Sequence, residues 1–126
     1  MKTKKQVSIP GLLRKAQKLF NAYVRSRDVD KGCISCNSGK VEQASHFYSA
    51  GQFSALRFNE YNVNGSCLRC NYFLSGNLNE YRIRLIDKIG EKNVLLLDVQ
   101  SKNNRVKKWS RFELEQIIKM YGKVKK

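Results

Sequence analysis

Leu12, Leu13, Ala16, Leu19, Phe20, Tyr23 and Val24 recur at the three-and-four spacing of an α-helix, and Pro10 sits where a first helical turn tolerates proline. The spacing predicts an amphipathic helix over residues 8–28, fading at about Arg27, with Arg14, Lys15, Lys18 and Arg25 on or near its wet side. From Asp28 to Asn71, Gly, Ser and Asn interrupt short apolar runs, a pattern suited to tight turns and short strands rather than helices. Helical spacing returns from Tyr72 to Gly90 through Leu78, Tyr81, Leu85, Ile86 and Ile89, with Gly90 as the stop. A third, short helix is expected to include Val94 to Val99. A last one opens on Ser110-Arg111-Phe112-Glu113, a capping box that precedes Leu114, Ile117, Ile118 and Tyr121.

The chain of 126 residues is 41% hydrophobic, which is enough for one small core and excludes a multidomain enzyme. The expected organisation is a single domain: a basic tail over 1–7, the N-terminal helix over 8–28, a cysteine-bracketed core with its following helix over 29–90, and a C-terminal helical region over 91–126 that ends in a second basic tail. No run approaches the roughly 18 apolar residues of a membrane span, and MKTKKQVSIP lacks the apolar centre of a secretory signal. A soluble, cytoplasmic protein without a membrane partner is expected.

Charge narrows the function further. Lys and Arg number 25 against 10 Asp and Glu, a net +15. Residues 1–32 and 72–126 each carry +7, whereas residues 33–71 carry only +1. Two basic arms around a nearly neutral middle point to a polyanionic partner, nucleic acid first. A basic membrane-surface helix would need an apolar face rich in Trp or Phe, and the single Trp109 lies elsewhere.

All four cysteines fall in that neutral middle, as Cys33-Ile34-Ser35-Cys36 and Cys67-Leu68-Arg69-Cys70. Each CxxC turn presents two thiolates on one side of a tight loop, so two such turns face to face make the tetrahedral sulfur site that zinc prefers. Two disulfides are the competing pattern, but adjacent CxxC disulfides are usually strained and redox-active rather than structural. The expected zinc is closed and structural.

Between the two turns stands the chain's only histidine, His46. A lone histidine on a half-apolar strand is by default a hydrogen-bonded core residue. Here Asn62 lies five residues before Cys67 and Asn71 follows Cys70 directly. A histidine with a pKa near about 6.5 takes a proton from water near neutral pH, which makes His46 a candidate general base. Asn62 would orient the strand and loop that carry the imidazole. Asn71, at the start of a helix, would offer its amide oxygen to a hard divalent cation. Each asparagine also has a plain structural role open to it, turn residue for Asn62 and helix N-cap for Asn71.

The order CxxC, His46, Asn62, CxxC-Asn71 resembles the HNH, or His-Me finger, endonucleases, whose ββα-metal motif places a histidine on a first strand, an asparagine in the next loop, and histidine or asparagine at a helix start. The frame is similar to that of phage endonuclease VII. A closer resemblance is to the phage NinG/Rap recombination endonucleases, carried by Arg27-Asp28, Cys33-Ile34-Ser35-Cys36, Ser45-His46-Phe47-Tyr48, Leu56-Arg57-Phe58-Asn59-Glu60, Asn62, Cys67-Leu68-Arg69-Cys70-Asn71, Ser75-Gly76-Asn77-Leu78, Glu80-Tyr81-Arg82, Leu85-Ile86 and Lys108-Trp109-Ser110. It covers roughly Asn21 to Tyr121.

The resemblance implies an α+β fold with a small zinc-stapled ββα-metal core flanked by amphipathic helices. It also implies a structure-selective endonuclease acting on Holliday junctions and D-loops, with His46, Asn62 and Asn71 as its site, a magnesium or manganese ion at Asn71, and a homodimer working with recombination proteins. Such a phage protein would act in the cytoplasm of a bacterial host. Many enzymes of this type carry an aspartate just before the base as a second metal ligand, whereas this chain has Ser45. Glu60, then Glu42, are the nearest acidic candidates. Arg57, Arg82 and Arg84 are expected to contact phosphates near the site. The competing class is a zinc-stapled DNA- or RNA-binding module without catalysis.

Overall fold

The computed structural model describes residues 6–38 and 40–123. The expected basic tails therefore fall partly outside the described residues, at 1–5 and 124–126.

Helix α1 spans Ile9–Asp28. Ser8 caps it by accepting the Gly11 N–H at 3.1 Å, which leaves Pro10 in the first turn, where a missing N–H breaks no helical bond. Leu12, Ala16, Phe20 and Val24 are buried at steps of four. Onto that stripe packs α4 (Arg111–Gly122), which inserts Leu114 and Tyr121. The aromatic contacts are edge-on, with Phe20 at 4.8 Å from Tyr121 and 5.7 Å from Phe58 between ring centroids. The capping box at the start of α4 forms as the sequence predicts: Ser110 Oγ accepts the Glu113 N–H at 3.2 Å, and the Glu113 carboxylate accepts the Ser110 N–H at 3.0 Å.

The short strands expected in the middle are β1 (Gln43–His46) and β2 (Val63–Ser66), paired antiparallel with Ser45 opposite Asn64 and His46 opposite Val63. Side chains alternate between the faces of a strand, and the contacts identify each face. Ala44 and Val63 join the α1 core, so His46 shares the α1 side. Ser45 and Asn64 face α2 (Leu78–Ile89), whose buried Tyr81 hydroxyl donates to the Ser45 carbonyl at 2.7 Å and accepts from Asn64 Nδ2 at 3.0 Å. The order is therefore strand, strand, helix, with α1 covering one face of the pair and α2 the other.

The end of α1 locks these pieces together. The Asp28 carboxylate accepts the Gly65 N–H at 2.8 Å and pairs with Arg27 at 2.8 Å and Lys88 of α2 at 2.9 Å. A Cβ on residue 65 would meet Val41 Cγ1 at 2.6 Å and Asp28 Cβ at 2.9 Å, so glycine is what lets the strand approach the helix end. A second core of Ile34, Leu56, Tyr81, Leu85, Val94 and Leu97 lies beneath α2 and α3 (Glu91–Asn103). The fold is mixed α+β, mostly helical with one small two-stranded sheet. Among the described residues no helix is long and apolar enough to cross a membrane.

Two helices depart from the spacing. The helix predicted from Tyr72 begins only at Leu78: Arg69–Phe73 form a single wide π-type turn, and Ser75, Gly76 and Asn77 all take positive φ, which no helix continues through. Asn71 is therefore neither at the start of α2 nor its N-cap. The third helix includes Val94–Val99 as expected and outruns it at both ends, with only Val94, Leu97 and Ser101 buried while Leu95, Leu96 and Val99 are exposed. Its apolar residues do not share one stripe, so periodicity understates it.

Candidate metal centre and histidine site

The two CxxC turns meet as expected. The Sγ atoms of Cys33, Cys36, Cys67 and Cys70 all lie within 4.8 Å of one another, and Cys36 Sγ stands 3.7 Å from Cys67 Sγ. Tetrahedral zinc with Zn–S bonds of about 2.3 Å separates its sulfurs by about 3.8 Å, so the spacing fits zinc, and all four thiols are free rather than bridged. Each turn aims a backbone N–H at its leading sulfur. The Ser35 N–H points to Cys33 Sγ at 3.3 Å and the Cys70 N–H to Cys67 Sγ at 3.5 Å, donors that stabilise thiolate charge. Ser35 Oγ donates to the Gly76 carbonyl at 2.7 Å and so ties the first turn to the loop that follows the second. Burial pushes the Cys70 thiol up to about 12, whereas a hydrogen bond from Ser38 brings Cys36 down to about 6. A divalent cation shared by all four sulfurs would supply the charge that lets the buried thiols ionise together.

His46 stands at the end of β1 on the α1 side. Its Nε2 lies 3.1 Å from the Arg57 carbonyl oxygen. A carbonyl only accepts, so this contact places the ring proton on Nε2 and leaves the lone pair on Nδ1. Burial lowers the imidazole pKa from its ordinary value, partly offset by that carbonyl, and the Arg57 charge lowers it further. The ring is therefore neutral at pH 7, the state a base requires.

Asn62 is fully buried and acts as a clamp. Its Oδ1 accepts the Tyr48 N–H at 2.9 Å, and its Nδ2 donates to the Tyr48 carbonyl at 2.9 Å and the Leu56 carbonyl at 3.1 Å. Both anchored points flank the histidine contact: Tyr48 is two residues beyond His46, and Leu56 precedes Arg57. Asn62 is thus more than a turn former. The turn itself is held by Asn59, whose Oδ1 accepts the N–H groups of Tyr61 at 2.8 Å and Asn62 at 3.2 Å.

Sequence reasoning missed Gln17. From α1 its Nε2 donates to the Arg57 carbonyl at 3.3 Å and to Asn21 Oδ1 at 2.9 Å, while its Oε1 accepts Arg57 Nε at 2.9 Å. One side chain thereby steadies both the carbonyl that holds His46 and the guanidinium beside it. The signal was a polar pair, Gln17 and Asn21, four residues apart beside the buried stripe of α1.

The remaining candidates are placed differently. Asn71 lies in the second cysteine turn, where its N–H donates to the Cys67 carbonyl at 3.1 Å, and its side chain is partly exposed. No hydrogen bond among the described residues links it to His46. Glu60 is not a spare metal ligand, since it accepts the hydroxyls of Tyr23 at 3.0 Å and Tyr121 at 2.7 Å. Glu42 accepts the Leu68 N–H at 3.1 Å. Ser45 leaves β1 on the face opposite His46, its Oγ buried without a partner among the described residues. Arg82 is engaged in a two-pronged pair with Asp98 at 2.6 and 3.0 Å, and Asp98 also accepts the Tyr48 hydroxyl. Arg84 keeps a buried Nε without a partner among the described residues. Apart from the four cysteines, the described residues hold no cluster of three or more His, Cys, Asp or Glu side chains able to share an ion.

A family model described as Bacteriophage Lambda NinG protein matches residues 2–126. The protein named Protein ninG from Escherichia phage lambda is 38% identical over 111 residues, covering 86% of this chain and 53% of the relative. Proteins of the same name from Escherichia phage 933W and Salmonella phage P22 are 37% and 36% identical over 111 residues, again covering 86% of this chain and 54% and 53% of their own lengths. The chain thus spans about half the length of these relatives. No solved structure matches it.

Proposed function

The chain belongs to the NinG family of phage proteins, and from that premise we propose that it is a zinc-stapled, metal-dependent DNA endonuclease of the HNH type, acting on branched recombination intermediates such as Holliday junctions and D-loops. The observation that carries the reading is the fixed histidine: His46 donates from Nε2 to the Arg57 carbonyl and keeps Nδ1 free as an acceptor. Nδ1 takes a proton from water, the resulting hydroxide attacks the scissile phosphorus, and the bond to the departing 3′ oxygen breaks. Asn62 holds both peptide segments that meet at this contact, and Gln17 holds the carbonyl from α1. The zinc is structural, its four sulfurs leaving no open position. A magnesium or manganese ion would supply charge neutralisation of the phosphate and leaving oxygen, with the Asn71 amide as the candidate protein ligand and DNA phosphate and water oxygens filling the rest of its shell. The net charge of +15 supplies attraction to the duplex without reading bases.

A second reading, a zinc-stapled DNA- or RNA-binding module without catalysis, is favoured by one observation: Glu42 and Glu60 are engaged elsewhere and Ser45 stands where a ligand carboxylate is expected. Incubation with a labelled four-way junction and a linear duplex of the same sequence in magnesium buffer separates the two. The nuclease reading expects cleavage of the junction in preference to the duplex, and binding without cleavage supports the module.

A further inference from the structure

Between α3 and α4 the chain runs through Asn104-Arg105-Val106-Lys107-Lys108 without regular structure, every residue exposed. Such a linker would ordinarily be loose. Here it is bound along the loop that leads into Arg57: the Ala55 N–H donates to the Arg105 carbonyl at 3.0 Å, Ser54 Oγ accepts the Lys107 N–H at 2.9 Å and donates to the Lys107 carbonyl at 3.2 Å, and Trp109 Nε1 donates to the Ser54 carbonyl at 2.9 Å. Arg105 and Lys107 make their share of these bonds through the main chain, which leaves the side chains of the strap free of them. Lys107 is used locally, paired with Glu113 at 2.7 Å and lying 4.9 Å over the Trp109 ring. Arg105 and Lys108 enter no ion pair among the described residues. Beside the strap opens a cleft of about 190 Å³ lined by Arg57, Lys107, Lys108, Trp109, Leu13 and Leu114. Arg57 is also the residue whose carbonyl holds His46.

We propose that this strap is a phosphate-binding rail, with Arg105 and Lys108 contacting the DNA backbone beside Arg57 and so bringing a phosphodiester to the His46 side of the sheet. The inference rests on the reading of the protein as a DNA enzyme and adds the surface that presents the substrate. It explains why a segment far from His46 in sequence is fixed by its main chain: charges on a rigid edge select a position for the backbone, whereas charges on a loose tail give only attraction. Ser54 is then a positioning residue that acts through the strap.

The test measures binding of the zinc-loaded 126-residue chain to a labelled DNA junction without added magnesium, so its outcome does not depend on cleavage. Each phosphate contact contributes a slope of about 0.9 in log affinity against log salt. Changing Arg105→Ala and Lys108→Ala together should flatten the slope by about 1.8, so that the affinity gap to the native protein narrows about twelvefold between roughly 50 and 200 mM salt. Ser54→Ala changes no charge yet should weaken junction binding severalfold. The matched loss of two exposed lysines of α3, Lys92→Ala with Lys102→Ala, should flatten the slope by less than half as much. Equal effects from the α3 pair, or native binding by Ser54→Ala that has kept its zinc and fold, would overturn the rail. So would a slope change confined to duplex RNA. Loss of the rail effect in a protein that still cleaves junctions rejects the rail alone; an intact rail effect in a protein that never cleaves rejects only the nuclease.

Discussion

Replacing Asn62 with Ala removes a side chain that makes three hydrogen bonds and touches nothing in solvent. The Tyr48 N–H and the Tyr48 carbonyl lose their partners, while the Leu56 carbonyl loses one of two donors and keeps the Asn59 N–H at 3.2 Å. An orphaned buried polar group costs about 1–3 kcal/mol. The two Tyr48 groups carry the loss, and because Tyr48 is half-buried they recover part of it from water, so the expected destabilisation is about 2–4 kcal/mol. A residue that merely favoured a turn would cost about 1 kcal/mol or less. Urea unfolding of the zinc-loaded protein, followed by the fluorescence of its single Trp109, gives the comparison directly. Asn59→Ala is the internal reference, because Asn59 makes the adjoining exposed turn. His46 supplies a second readout: as the only histidine, its ring proton can be followed by NMR without assignment. Its pKa should rise toward the ordinary value in Asn62→Ala as the segments around the ring loosen and water reaches it. A loss below about 1 kcal/mol together with an unmoved imidazole titration would refute the clamp.

Three further outcomes follow from the same geometry. Metal analysis should find one zinc per chain, and Cys67→Ser should leave the protein largely unfolded at room temperature, since structural zinc contributes on the order of 10 kcal/mol to small domains; a folded, zinc-free protein would reject the centre. Asp28, despite burial that alone would raise its pKa, is held down to about 2 by Arg27, the Gly65 N–H and Lys88. Its stabilisation, about 2–3 kcal/mol, is present above pH 4 and lost as the pH falls through 2, so Asp28→Asn should lose that amount at pH 7 in thermal unfolding and approach the native protein near pH 2. Asn71→Ala should reduce junction cleavage while changing the stability from urea unfolding by less than about 0.5 kcal/mol, because only its backbone supports the turn; a clear stability loss with unchanged cleavage would make it structural.

Local rules were the legible part of this chain. The steps of four in α1, the capping box of Ser110 and the paired CxxC turns each lie within a few residues of sequence, and each forms where the pattern puts it. Helix α2 starts later than the spacing predicts because Tyr72 and Phe73 continue an apolar spacing that the positive φ of Ser75, Gly76 and Asn77 interrupts; Gly76 and Asn77 carry the local signal for that break, and the apolar periodicity on both sides outweighed it. At the site, the order of His46 and Asn62 was visible, but their supports were not. Gln17 reaches Arg57 across 40 positions and the strap reaches Ser54 across 53, and nothing in local spacing encodes such contacts. The same is true of Tyr81, which reads as an apolar helix position yet spends its hydroxyl on Ser45 and Asn64. Glu60 shows the converse: a carboxylate that reads as a metal ligand is taken by two tyrosines from α1 and α4.

The central claim is that His46 is the general base of a DNA endonuclease, and magnesium-dependent cleavage of a four-way junction by the native protein and by His46→Ala tests it most directly. The account predicts a loss of about 10²–10⁴-fold in His46→Ala, with zinc content and junction affinity near native. It also predicts a native rate that falls as pH drops through an imidazole pKa below about 6.5, where Nδ1 becomes protonated. A folded, zinc-loaded His46→Ala protein that cuts junctions at the native rate would contradict it.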